Sequence, residues 1–186
     1  MSVILVVPDA GPLISLGKAG RLEILLTLRL PICVVDQVRF EVTNDNRFAD
    51  ARRIDDFIRN HPDVVQEFVT AVGAAAAVRR AAGETRQPVQ GEAAIAELLQ
   101  RIDEVTGDPD APVLLLYEDS DVRKSRFILP PNVHVLSTWG LLLGLERKGL
   151  VRSAHDIWRE IEAAGRSPSQ TNADVPGTTP RGPTSW

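Results

Sequence analysis

Val3-Ile4-Leu5-Val6-Val7 runs directly into Pro8-Asp9-Ala10-Gly11-Pro12. Five apolar residues rich in β-branched side chains, with no polar alternation, are the pattern of a strand buried on both faces. An acid and a Gly-Pro pair end the run, and Pro12 suits the first turn of a helix over Leu13-Ile14-Ser15-Leu16. The same grammar recurs further along. Ile32 to Val35 is a second apolar strand, followed by Asp36, a helix-capping residue type, and a short helix through Val38 and Val42. Pro112-Val113-Leu114-Leu115-Leu116-Tyr117 is a third buried strand and ends in Glu118-Asp119-Ser120-Asp121. Residues 64–69 and 133–136 read as two further short strands. Between the strands, apolar residues return at helical spacing over 21–28, 49–59, 91–102, 138–148 and 154–164. Strands alternating with helices predict an α/β domain with a mainly parallel central sheet in three α/β/α layers.

The chain has 186 residues, 44% of them apolar, enough for one substantial core. Residues 1–165 are expected to form it. Within them, 71–90 is an insert: an alanine-rich stretch of high helix propensity over 71–82, then a polar segment over 83–90 expected to be a mobile loop. From 166 to 186 the composition turns to Ser, Thr, Pro and Gly with almost no aliphatic residues, which predicts a disordered tail. The 25 acidic and 21 basic side chains leave a net charge of −4, so there is no global electrostatic footprint for nucleic acid. Such a ligand would need a local basic patch. Cys33, the single cysteine, excludes a disulfide framework and a cysteine-rich zinc site and reads as a core residue. His61, His134 and His155 lack ligand spacing, and no glycine-rich phosphate loop is present. Without an eighteen-residue apolar run or a leader pattern, no membrane association is expected, and the protein is expected to be cytoplasmic.

In parallel α/β folds, ligands sit beyond the carboxyl ends of the strands. That places Asp9 and the acidic group 118–121 where chemistry is expected. Asp9 also suits a turn or a helix N-cap. Three acids in four positions repel one another unless a cation or solvent relieves them, and Arg123-Lys124 follow as candidate phosphate contacts or ordinary surface charges. Glu41 lies in the helix after the second strand, where by itself a surface glutamate is the default reading. Glu92 stands in the first turn of its helix and there complements the helix dipole. An oxygen-only set without His or Cys selects a hard cation, Mg2+ or Mn2+, over zinc.

Taken together, these segments resemble a PIN domain of the VapC-like toxin ribonuclease family. The resemblance lies in Pro8-Asp9-Ala10-Gly11-Pro12-Leu13-Ile14-Ser15-Leu16, in Val35-Asp36-Gln37-Val38-Arg39-Phe40-Glu41-Val42, and in Gly91-Glu92-Ala93-Ala94-Ile95-Ala96. It continues through Leu115-Leu116-Tyr117-Glu118-Asp119-Ser120-Asp121 and Val135-Leu136-Ser137-Thr138-Trp139-Gly140-Leu141-Leu142. It implies a PIN-like three-layer domain whose catalytic, metal-binding set is Asp9, Glu41, Glu92, Asp119 and Asp121. It further implies an endoribonuclease dependent on Mg2+ or Mn2+, the toxin of a type II toxin–antitoxin pair, with RNA as substrate, a protein antitoxin as partner and a homodimeric state. Two features depart from the family pattern: Tyr117 replaces a Thr or Ser, and the 71–90 insert is longer than in compact members. The rival readings are a non-catalytic binding module on the same scaffold and a metal-dependent DNA nuclease.

Overall fold

The computed structural model describes residues 4–84, 90–118 and 129–167. Among the described residues five strands carry the fold: β1 (Leu5–Pro8), β2 (Ile32–Val35), β3 (Val65–Phe68), β4 (Val113–Leu116) and β5 (Val133–Leu136). They form one sheet in the order β3-β2-β1-β4-β5, and every neighbouring pair is parallel. Every residue of β1, β2 and β4 is buried, which is why these three read as unbroken apolar runs. The edge strands differ. Gln66 and Glu67 on β3 and His134 on β5 are exposed, and polar side chains there discourage pairing with another chain.

Helices cover the sheet to complete a three-layer α/β/α domain: α1 (Ala10–Ala19), α2 (Asp36–Thr43), α3 (Ala49–Asn60), α4 (Ala71–Ala81), α5 (Gly91–Gln100), α6 (Ile102–Thr106), α7 (Thr138–Arg147) and α8 (Ala154–Ala163). The core joins the central strands to Leu13 and Leu16 of α1, Ile54 of α3, Leu98 of α5, Leu142 of α7 and Ile161 of α8, all fully buried. Among the described residues no helix is long and apolar enough to cross a membrane.

Several local expectations are corrected. Helix α1 begins at Ala10, two residues before Pro12, because the first turn of a helix has N–H groups without partners and tolerates proline. The segment 21–28 is a 3-10 helix, Leu22–Leu28, closed by Arg29 in the left-handed region at φ 54°. The helix expected over 91–102 is broken at Arg101, whose guanidinium bonds Glu97 at 2.7 Å and Glu104 at 2.7 and 2.8 Å. Asp36 does not cap α2 from outside. It is the first helical residue, and its carboxylate accepts from the Thr70 hydroxyl at 2.8 Å and the Thr70 N–H at 3.1 Å.

That Asp36–Thr70 contact explains the alanine-rich insert. A Cβ on Gly73 would collide with the Asp36 carboxylate, and Ala76 is completely buried, so small residues let α4 approach α2. Glu97 of α5 accepts the Ala71 and Val72 N–H groups at 2.8 and 3.0 Å, satisfying donors at the start of α4. Arg80 lies over the Phe40 ring of α2 at 3.7 Å. The insert is thus bound into the domain through Ala81, and residues 85–89 of its polar part lie outside the described residues.

The strand order opens a place for a ligand. The chain steps outward from β1 to β2 to β3, then crosses back to lay β4 on the other side of β1. At such a reversal the connections leave in opposite directions and open a crevice beyond the strand ends.

Candidate active site

At this crevice the ladder extends just past the strands. The Asp9 N–H donates to Leu116 O at 2.9 Å, and the Tyr117 N–H donates to Leu136 O at 3.0 Å. Asp9, Tyr117 and Glu118 therefore leave the sheet side by side. Asp9 occupies the N-cap position of α1, yet its side chain makes no capping bond to the helix. Glu41 comes from α2 and Glu92 from the first turn of α5. A cleft of about 410 Å³ gathers Asp9, Glu41, Glu92, Tyr117, Glu118 and Arg166.

The electrostatics follow from this gathering. The Asp9 carboxyl is raised to about pKa 6, chiefly by burial; the Ala10 N–H partly offsets this, and the charges of Glu41, Glu92 and Glu118 contribute to the rise. Glu41 is held by backbone: its Oε1 accepts from the Gly91 N–H at 3.0 Å and the Gln90 N–H at 3.3 Å. Glu92 is held by a side chain, its Oε1 accepting from the Tyr117 hydroxyl at 2.6 Å. Tyr117 thus reaches one of the expected site acids. The Oε2 atoms of Glu41 and Glu92 have no hydrogen-bond donor among the described residues.

The residue that sequence reasoning passed over is Glu118. It was read as part of an acidic run, while Asp119 and Asp121 were singled out as ligands. Its side chain is only 6% exposed. Thr138 donates to Oε1 at 2.5 Å, and Ser15 and Arg166 donate to Oε2 at 2.8 and 2.9 Å. A Cβ on Gly11 would lie 2.9 Å from the Glu118 Cβ, so glycine is needed where α1 passes this side chain. The available signal was Ser15 and Thr138: hydroxyls on otherwise apolar helix faces, both fully buried, demand an acceptor. Arg166, expected to open a disordered tail, instead folds back after Gly165, its N–H bonded to Ile161 O and its side chain reaching Glu118 and Ser15.

Asp119, Asp121, Arg123 and Lys124 lie outside the described residues, as do 168–186. Trp139 packs on Trp158 and His155 at ring separations of 5.2 and 5.0 Å, a core role. Cys33 is buried in β2, with its thiol pushed up by burial to about 12.

The donor chemistry of the cleft fits a hard divalent cation: the acids are all oxygen donors, and the repulsion felt by Asp9 is what a bound cation relieves. Among the described residues no three His, Cys, Asp or Glu side chains form a ready-made metal site. Asp9, Glu41 and Glu92 line the cleft without being drawn onto a common point. No family model, curated protein or solved structure matches the chain.

Proposed function

We propose that this chain is a metal-dependent endoribonuclease that hydrolyses RNA phosphodiester bonds in the Asp9–Glu41–Glu92 cleft. The observation that carries the reading is the arrival of these three acids, from β1, α2 and α5, in one cleft at the reversal of strand order. Asp9, Glu41 and Glu92 would hold Mg2+ or Mn2+, joined on the resemblance by Asp119 and Asp121. Such an ion supplies Lewis acidity at the attacked phosphate and lowers the pKa of the attacking water. The protein's own part is to position its acids. Tyr117 orients Glu92, the amides of Gln90 and Gly91 orient Glu41, and the β1–β4 ladder sets Asp9 at the edge of the sheet. The PIN-like motifs extend the proposal to the toxin of a type II toxin–antitoxin pair: a cytoplasmic homodimer silenced by a protein antitoxin.

Purified protein incubated with mixed-sequence RNA and matched DNA, in EDTA and then in Mg2+ or Mn2+, tests the reading. RNA should be cut only with metal, and Asp9→Asn should lose roughly a thousandfold or more in rate, as expected when a metal site fails. Full activity in Asp9→Asn, or cleavage in EDTA, would sink the assignment. Cleavage of DNA alone would shift it to a DNA nuclease, and no cleavage under any metal would favour the binding module. Unfolding gives an independent readout. Bound metal at a hundredfold excess over its Kd should stabilise the fold by about 2.7 kcal/mol.

A second variant separates site from scaffold. A Cβ on Gly91 would lie 2.9 Å from Glu41 Oε2, the flexible end of a side chain. Gly91→Ala should therefore displace the carboxylate and slow cleavage by at least about tenfold. Alanine suits the first helical position, but its Cβ would also lie 3.2 Å from Cγ2 of fully buried Val38, so the urea midpoint should move by about 1 kcal/mol equivalent or less. Unchanged cleavage in this variant would remove Glu41 from the site.

A further inference from the structure

Among the described residues lining the cleft, Arg166 is the single cationic side chain, facing a wall that holds Asp9, Glu41, Glu92 and Glu118. It reaches this place from beyond α8 and is fixed there by two bonds: Nε to Ser15 Oγ at 3.1 Å and Nη2 to Glu118 Oε2 at 2.9 Å. Both anchors are firm, since Ser15 is fully buried and the Glu118 side chain is 6% exposed. A guanidinium has five N–H donors, and these contacts use two of them. Its Nη1 has no acceptor among the described residues, and the side chain remains 31% exposed. The cleft stays open beside it.

An acidic cleft repels the anionic backbone of a nucleic acid, so a substrate phosphate needs a cationic partner in addition to any metal. A tethered guanidinium offers its remaining donors in a fixed plane that matches the two non-bridging oxygens of a phosphodiester. We propose that Arg166 is the phosphate-binding residue of this cleft, gripping a non-bridging oxygen of an RNA strand laid across the carboxylates. The assignment rests on the nuclease reading above and adds a residue that the composition of the 166–186 segment concealed.

Equilibrium binding of a short fluorescein-labelled single-stranded RNA, in Ca2+ to support binding while limiting cleavage, tests it across a range of KCl concentrations. Arg166→Ala should weaken binding roughly tenfold, the scale of a hydrogen bond to a charged group. It should also lower the slope of log K against log salt by about 0.7, the counterions released per single-strand phosphate contact. Arg166→Lys should keep the slope while losing part of the affinity. Arg159→Ala, an exposed arginine on α8, should change neither. If Arg166→Ala does not fold, Arg166→Gln, which keeps a donor without the charge, should show the same loss of slope.

Weaker binding with an unchanged slope would mean that Arg166 only supports Glu118, and would overturn the proposal. So would tighter binding, which would mark Arg166 as an obstruction. If the parent protein binds and cleaves RNA but the slopes agree, the Arg166 assignment fails alone. If the parent binds no RNA, the nuclease reading falls and takes the assignment with it.

Discussion

Asp9→Asn is expected to make the metal-free protein more stable than the parent near neutral pH, by on the order of 2–3 kcal/mol. An aspartate ordinarily titrates near 3.8, and in this fold Asp9 does so at about 6. Between those values the folded chain holds a proton that the unfolded chain has released. The stability tied to the neutral carboxyl is therefore complete below about pH 4 and is lost as pH rises through about 6. This is opposite in sign to an ordinary salt-bridged carboxylate. Asparagine resembles the neutral acid in shape and carries no charge at any pH, so the variant escapes the loss. Urea unfolding in EDTA at about pH 4 and at neutral pH checks the claim, since other titrating groups largely cancel in the difference between variant and parent. The difference should be small at the acid end and should grow as pH rises. A constant difference would mean that Asp9 is solvated and that the acids do not confront one another. Added Mg2+ should narrow the gap by stabilising the parent alone.

Glu118→Ala should cost about 3–5 kcal/mol, the scale of leaving two fully buried hydroxyls without their acceptor at about 1–3 kcal/mol each. Three donors lose their acceptor together: the buried hydroxyls of Ser15 and Thr138 and the guanidinium of Arg166. These groups lie on α1, at the start of α7 and beyond α8, so the variant loosens three attachments to the end of β4. Glu118→Gln should cost less, about 2 kcal/mol, because its carbonyl still accepts from Thr138 while its amide opposes the Arg166 donors. A urea midpoint shift worth under about 1 kcal/mol in Glu118→Ala would show that solvent replaces these bonds without loss.

The physics of burial decided what could be read in advance. Strands covered on both faces need apolar residues throughout, so β1, β2 and β4 were visible at nearly their true bounds. Asp9 and Glu92 stand at the exit of a strand and in the first turn of a helix, where a polar group meets the crevice, whereas Glu41, well inside α2, had only the resemblance to mark it; all three line the cleft. Glu118 was less so. In a run of adjacent acids, which one turns inward depends on the twist at the end of β4 and on the room left by Gly11, and neither has a local pattern. Arg166 was hidden for a related reason: composition reports whether a segment can build a core, whereas a single long side chain can be recruited by distant partners. Asp36 stands inside the first turn of α2 rather than before it, and its carboxylate serves both the Gln37 N–H and Thr70, which lies far along the chain.

The sheet order also bears on when the cleft comes into being. Ser15 and Glu118, bonded across its wall, are 103 residues apart in sequence, and the β1–β4 ladder joins segments of similar separation. Pairings of that span incur a large loop-closure entropy and form slowly relative to local helices. A nascent chain carries Asp9, Glu41 and Glu92 well before β4 is made, but it has no β4 edge, no Tyr117 to hold Glu92 and no Glu118 to receive Arg166. The acids precede their enclosure. An incomplete product of synthesis therefore carries the chemistry of this site without its geometry, and the cleft is complete only when α8 and Arg166 have emerged.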